Sequence, residues 1–304
     1  MEAVILNYNS STDTIKLLSS LIKMGELVTR IVIVDNNSGE DDKKALLNFT
    51  EAINKNNKKI QEVKLIFNNK NNGYAAGNNI GLRYLMKNKS KDNLISIINP
   101  DIYIAKEQLN GLLNNYQKAE KKYGENSIGI ISPWMINHGA SGMVAWKMPH
   151  FLSDLISASV VLKKLFGDIL SYKKIKRNTG VLEVGVLPGS FLLINKKAIE
   201  TTGFLEEETF LYCEERILAA RMKRHNFNIL LDTDHYYDHE HSKTINKFLS
   251  GVKKIDYLYD SKKVYYTKEK NSKFQASFIS SLRVLSKIEY VALHSFRKLI
   301  KNKF

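Results

Sequence analysis

Arg30-Ile31-Val32-Ile33-Val34-Asp35-Asn36-Asn37-Ser38-Gly39 is the stretch on which the fold turns. Four β-branched residues in succession suit a strand covered on both faces, as the strands of parallel sheets are. The run stops abruptly at an acid, two amides and a glycine, a strand end followed by a turn. Outward from it, Val4–Asn7, Val63–Phe67 and Leu94–Ile98 have the same character, each closed by polar residues. Between them lie helical patterns. Ile15, Leu18, Leu21 and Ile22 form an apolar stripe that Gly25 stops, residues 41–56 are charged and helical, and Ala75–Lys87 forms a third helix. Strands alternating with helices give an α/β fold, a mostly parallel sheet with helices on both faces. Such sheets bind ligands beyond the carboxyl ends of their strands. Here those ends carry Asn7-Tyr8-Asn9, Asp35-Asn36-Asn37 and Asn99-Pro100-Asp101.

The rest of the chain bounds what can be bound there. It has 304 residues, 43% of them hydrophobic, enough for a buried core. Its single cysteine, Cys213, excludes a disulfide framework and any multi-cysteine zinc site. No run of 18 apolar residues occurs, and Met1-Glu2-Ala3-Val4 lacks the basic start of a signal peptide, so a cytoplasmic location is expected. The net charge of +15 asks for an anionic partner. It is unevenly placed: residues 245–304 hold 14 Lys+Arg against 4 Asp+Glu. That divides the chain into a body, 1–244, and a basic tail, 245–304.

Within the body, 138–180 mixes Gly139, Gly142, Trp146 and Pro149 with an apolar run, Phe151–Leu170, which fits two short helices or a flap. Strands are expected around Pro188-Gly189-Ser190, helices over Lys196–Thr202 and Glu214–His225, and a last strand at Ile229–Leu231 before the acid and histidine cluster Asp232–His241. Each polar motif has two readings. Asp35 accepts a hydrogen bond from a base or ribose, or only closes its own turn. Asn72-Gly73-Tyr74-Ala75-Ala76-Gly77-Asn78-Asn79-Ile80-Gly81 brings a helix N-terminus to a phosphate, or its glycines only let the helix pack closely. Asp101 supports a divalent cation whose remaining ligands are phosphates and water, or belongs to an Asn-Pro-Asp turn. Glu214-Glu215 favour a helix dipole or supply a general base. His241 fits an exposed polar turn.

The order and spacing of these motifs resemble glycosyltransferase family 2, most of all its bacterial rhamnosyltransferase-like members of O-antigen and capsule synthesis. The resemblance runs from Asn7-Tyr8-Asn9 through Asp35-Asn36-Asn37, the 72–81 stretch and Asn99-Pro100-Asp101 to Gly189-Ser190, Gly203-Phe204, Phe210–Glu215 and His239–Thr244, about residues 3–244. It implies a GT-A fold binding a nucleoside diphosphate sugar, with Asn7, Asp35, Asn37, Asn72, Gly73, Gly77, Asn78, Asn99 and Asp101 on the donor side. Asp101 and His239 would hold Mg²⁺ or Mn²⁺. Trp146, Gly189, Ser190 and Glu214 fall on the acceptor side, where a saccharide or lipid-linked oligosaccharide would sit, and Glu215 takes the place of the base in an inverting transfer. The donor it first suggests is dTDP-rhamnose, then a UDP-hexose. Ile217 stands where the family motif has a second Asp. That departure, with Arg216 beside it, leaves open an inactive nucleotide-sugar-binding or scaffold subunit.

The tail lies outside the resemblance. Phe274, Phe278, Leu282, Leu285, Ile288, Ala292, Phe296 and Leu299 recur at helical spacing, interrupted by Glu289, with Arg283, Lys287, Arg297, Lys298 and Lys301 mainly on the other side. Such a helix lies on an anionic membrane surface, here the inner face of the cell membrane, or packs on the body or on a second copy. Tyr257, Tyr259, Tyr265 and Tyr266 among lysines evoke nucleic acid, but no nucleic-acid module accompanies them, and none is expected as partner.

Overall fold

A computed structural model describes residues 1–56, 59–88, 90–137, 140–141, 144–167, 169–172, 175–239 and 250–301. Gly139, Gly142 and His241 lie outside them. The four expected strands form β1 (Glu2–Asn7), β2 (Arg30–Asp35), β3 (Glu62–Phe67) and β4 (Leu94–Ile98), pairing in parallel in the order β3-β2-β1-β4. Every residue of β2 is buried, which is why its sequence shows no alternation. Helices α1 (Ser11–Lys23), α2 (Glu40–Asn56) and α3 (Tyr74–Lys87) connect them. Gly25 adopts a left-handed φ of +54° in the turn after α1.

Beyond β4 the sheet continues, in part through the strands expected near Gly189 and at Ile229–Leu231 and in part through elements the hydrophobic pattern left unread. After a two-residue strand β5 (Ile102–Tyr103) come α4 (Lys106–Tyr123) and β6 (Ile128–Asn137). A short β7 (Ala140–Ser141) pairs with β6, and β8 (Val181–Glu183) with β10. The sheet order is completed as β4-β9-β6-β10-β5, where β9 is Phe191–Asn195 and β10 is Asn228–His239. β9 runs antiparallel to both β4 and β6, whereas β6 and β10 are parallel. The apolar run in 138–180 forms the two short helices expected, α5 (Phe151–Ser157) and α6 (Val160–Phe166). Helix α7 (Lys196–Thr202) matches its expected bounds, and α8 (Glu214–Arg224) stops one residue early.

One expectation needs correcting. The last strand does not end at Leu231 but runs to His239. Opposite β6, Asp232 pairs with Pro133 and Tyr236 with Trp134, so Thr233, Asp234 and His235 bulge out. Asp232 organises that bulge, its fully buried carboxylate accepting from the Asp234 N–H at 2.9 Å and facing His235 Nδ1 at 2.8 Å. The acid and histidine cluster is thus mostly a device for resetting a strand.

The tail forms α9 (Gly251–Lys268) and α10 (Lys273–Lys301), packed on each other, with α9 against α8 and α10 against α5. The main core fills the space between sheet and flanking helices. A second, smaller core joins tail to body: Tyr259, Tyr265, Tyr266, Ala276 and Ile279 bury against Ala158 and Ile217. The tail tyrosines are consumed there, and Tyr257 stacks on Phe210 at 4.5 Å between ring centroids. Glu289, which breaks the apolar stripe, accepts from Ser159 Oγ and from the Val160 N–H, both at 2.6 Å, and so caps the start of α6.

Candidate active site

Parallel register brings Asn7 opposite Asp35. The Asn7 amide donates to Asp35 Oδ1 at 2.8 Å and to Ser38 Oγ at 3.0 Å, while its oxygen accepts from Thr14 Oγ1 at 2.7 Å. Asp35 Oδ2 accepts from the Ser38 N–H at 3.0 Å. Both side chains are fully buried, so a rigid polar knot closes the ends of β1 and β2. Asn37 is exposed, in a left-handed turn with φ of +65°, whereas Asn36 is buried and donates to Asn71 Oδ1 and the Gly73 carbonyl.

Asn72 is exposed just before α3. Gly73 has φ of +100°, and a Cβ there would lie 2.3 Å from the Phe210 carbonyl oxygen. At Gly77 a Cβ would meet Leu6 Cδ1 at 2.5 Å, and at Gly81 Val4 Cγ1 at 2.6 Å. Of the two readings of these glycines, close packing of α3 on β1 is the one the geometry displays at 77 and 81. Asn78 is buried, donating to the Tyr74 carbonyl while its Oδ1 has no hydrogen-bond partner.

A second corner forms past β4. Pairing of His239 with Ile102, between β10 and β5, sets the imidazole beside Asp101, with Nε2 3.2 Å from Oδ1. The bulge at 233–235 absorbs three residues of β10 and so decides that His239 is the residue set opposite Ile102. One carboxylate and one imidazole at adjacent strand ends suit a divalent cation that draws its other ligands from a diphosphate and water. No group of three or more acids, histidines or cysteines able to hold a metal occurs among the described residues. Such a cation would need its ligand to be bound firmly.

The corners meet at Gly189-Ser190. The Tyr74 hydroxyl donates to the Gly189 carbonyl at 2.7 Å, and the Asn99 N–H to the Ser190 carbonyl at 2.9 Å. Ser190 Oγ lies 2.6 Å from the Tyr237 hydroxyl. The Gly189 N–H donates to Glu215 Oε1 at 3.1 Å, and a Cβ on residue 189 would fall 2.4 Å from that oxygen. Only glycine lets the carboxylate come so close to the backbone. Trp146 joins through an isolated bridge to Val186, three residues earlier.

The turn Tyr212-Cys213, both left-handed at φ of +73° and +66°, delivers Glu214 and Glu215 to the start of α8. Such a conformation is costly for non-glycine residues and must be held by its surroundings. Glu214 is wholly buried, with Oε1 unpartnered. Burial, then the neighbouring Glu215 charge, pushes its carboxyl well above the usual range. Burial also raises Glu215, offset in part by backbone N–H donors including that of Gly189. Glu215 is the less buried of the two. Burial pushes the Cys213 thiol up to about 12, so it is no nucleophile.

The glycosyl transferase family 2 model matches residues 2–202 of this chain, two thirds of its length. The chain belongs to glycosyl transferase family 2. The low-salt glycan biosynthesis hexosyltransferase Agl10 of Haloferax volcanii is 26% identical over 229 residues, 75% of this chain and 63% of that protein. This chain thus spans less than two thirds of its relative's length. Among solved structures, the mannosyltransferase PcManGT of Pyrobaculum calidifontis, in complex with GDP-Man and Mn²⁺, aligns with 96% of this chain and 74% of its own, at 11% identity and a TM-score of 0.53. GalNAc-T7 with UDP, GalNAc and Mn²⁺ aligns with 94% of this chain and 54% of its own, at 14% identity and a TM-score of 0.55. These likenesses establish the GT-A fold.

Arg216 and Ile217, which follow Glu215 on α8, have structural partners of their own. Ile217 points into the second core, among the tail tyrosines. The Arg216 guanidinium sits 3.7 Å from the Tyr265 ring centroid and 2.5 Å from Asp154 Oδ2 of α5. Lys262 reaches Asp154 Oδ1 at 3.1 Å, and the Tyr266 hydroxyl donates to Oδ2 at 2.6 Å. Burial opposes ionisation of Asp154, but Arg216 and Lys262 outweigh it and hold the carboxyl below its usual range. A second set of pairs lies at the far end of α8: Arg221 and Arg224 to Glu269 at 2.8 and 2.5 Å, and Lys268 to Glu206 at 2.8 Å. This family member fastens the helix of Glu214 and Glu215 to its own tail. Asp154 escaped sequence reading because its partners Arg216 and Tyr266 lie 62 and 112 residues away. Asn79, which donates to the Leu205 carbonyl at 2.8 Å, was missed for the same reason.

Proposed function

We propose that this chain is an inverting, divalent-metal-dependent glycosyltransferase that moves a hexose from a nucleoside diphosphate sugar to a hydroxyl of a saccharide or lipid-linked oligosaccharide. The catalytic unit is 1–244, with 245–304 as a buttress of α8. The observation that carries the proposal is the convergence on Gly189-Ser190 of the Asp101–His239 corner, the loop before α3 and Glu215.

On this reading Asn7 and Asp35 seat the nucleoside, Asn72, Gly73, Gly77, Asn78 and Asn99 shape the donor side, and Asp101 with His239 would hold Mg²⁺ or Mn²⁺ against the diphosphate. The Mn²⁺-bound fold neighbours support the metal. When bound, such an ion neutralises the charge of the leaving diphosphate. Glu215 Oε accepts the proton of the acceptor hydroxyl as its oxygen attacks the anomeric carbon and the diphosphate departs. The Gly189 N–H keeps the carboxylate aimed while Trp146, Gly189, Ser190 and Glu214 border the acceptor. An inactive subunit gains nothing from Arg216 and Ile217, because tail docking accounts for both.

The test is a panel of nucleotide sugars, dTDP-rhamnose and UDP-hexoses among them, with Mg²⁺ or Mn²⁺ and scored by nucleoside diphosphate release. Glu215→Gln should lower transfer by roughly a thousandfold while donor-induced thermal shifts persist. An unimpaired variant would remove Glu215 as the base.

A further inference from the structure

Helix α6 packs few of its side chains. Val160, Val161, Leu165 and Phe166 are 54%, 60%, 73% and 63% exposed, with Lys163 and Lys164 exposed between them. Across the Glu289 cap, α10 adds Ile288 and Val291, also more than half exposed. At the other end of the contact Phe278 meets Phe151 at 5.8 Å, beside exposed Leu152 and Phe274. Two separate helical segments therefore leave large apolar side chains in water, tied together by hydrogen bonds. Soluble surfaces seldom carry such a patch without a partner.

The charge identifies that partner. Helix α6 itself carries Lys163 and Lys164 and no acid. On α10 two of the basic residues opposite the apolar stripe are engaged elsewhere: Arg283 with Asp256 and Asp260, and Lys287 with Asp256 at 2.6 Å. Among the described side chains, the exposed lysines of the patch are Lys163 and Lys164 of α6, interleaved with its apolar residues. A second copy of the chain would set Lys163 and Lys164 against their equals. A bilayer with anionic headgroups accepts both kinds of side chain at once, hydrocarbon for Leu165 and Phe166, phosphate for the lysines. No helix among the described residues is long and apolar enough to cross a membrane, so the contact would be interfacial.

We infer that the α6–α10 face docks this protein on an anionic lipid bilayer. Beside α5 and α6 lies a cavity of about 220 Å³ walled by Trp146, Ile156, Ile169, Leu170 and Lys163. Its Trp146 wall bridges to Val186, close to Gly189. Docking therefore presents the acceptor side to lipid, which deepens the proposed function by favouring a lipid-linked acceptor.

Sedimentation of the full chain with vesicles tests the docking without reference to catalysis. The protein should pellet with vesicles of phosphatidylcholine and phosphatidylglycerol and remain largely in solution with phosphatidylcholine alone. Leu165→Asp/Phe166→Asp, and separately Ile288→Asp, should each reduce the bound fraction about tenfold. Leu47→Asp, at an exposed apolar residue of α2 away from the patch, should not. Diphosphate release with a water-soluble acceptor should be unchanged in Leu165→Asp/Phe166→Asp, which separates failure of docking from failure of the enzyme. Equal pelleting of wild type and both patch variants would overturn the inference. So would a dimer, seen by light scattering, that the patch variants dissolve while vesicles bind nothing.

Discussion

The two ends of the proposed active site are held by different physics. On the proposed nucleotide side, Asn7, Asp35, Ser38 and Gly73 are fixed by short side-chain and backbone hydrogen bonds and close backbone packing at the strand ends. On the base side, Glu214 and Glu215 ride on a helix held by a buried ion pair and tyrosines that arrive from the tail. A hydrogen-bonded knot tolerates little movement but needs only local sequence. A buried charge network needs every member, because losing one strands the others in a low dielectric.

The sharpest break in this contrast is Arg216→Met. It leaves Asp154 with Lys262 and Tyr266 only, and should cost about 3 kcal/mol, read as a lower urea midpoint with reduced transfer. Arg216→Met/Asp154→Leu/Lys262→Met, which removes all three buried charges together, should recover much of that loss. If the single variant melts like wild type, the tail does not brace α8. Gly189→Ala comes next. Its methyl displaces Glu215 Oε1, and transfer should fall about a hundredfold while the melting temperature barely moves. Equal losses of stability and rate would show that Gly189 serves packing instead.

The nucleotide side was legible in the sequence because its motifs sit where strands end, and β2 announced its own boundaries through unbroken burial. What stayed unread had long-range partners. Ile217 looked like a damaged motif until the tyrosines it packs against were in place. Helix α4 and strand β6 went unnoticed. Asp232 through His235 read in sequence as part of one acid and histidine cluster with His239, although their partners are one another, Asn115 and the backbone of a bulge. Charge was similarly misleading: Lys262 and Lys268 of the basic tail are spent on Asp154 and Glu206.

Acid sharpens the comparison further. Glu215 is raised, so transfer should decline as pH falls through a value above the ordinary glutamate range, measured as the acidic limb of kcat/KM. Asp154 is lowered, so the stability it contributes is full above the ordinary aspartate range and is lost only as pH falls through its depressed value. Catalysis should therefore fail before the brace does, and a melting curve that collapses together with activity would contradict that order. The smallest effect is expected at Glu214. Its folded-state carboxyl favours the proton, which stabilises the fold in acid and no longer does so once pH rises past the raised value. Glu214→Gln keeps a neutral group there at every pH and should gain about 1 kcal/mol at neutrality, seen in thermal melts, with the gain vanishing in acid.

The bulge in β10 has a consequence of parity. Side chains alternate along a strand, so the stretch between Asp232 and His239 works as a ruler with a tooth every second residue. Deleting all three of 233–235 would let β10 pair on without a bulge and keep His239 in its present register. Deleting two and pairing regularly would move His239 one place along and turn it to the opposite face of the sheet, away from Asp101. Deleting one would move it two places, which keeps the facing but overshoots Asp101. Length variation in this short stretch is therefore graded by odd and even, and a two-residue deletion should silence the Asp101 corner while leaving the sheet itself able to fold.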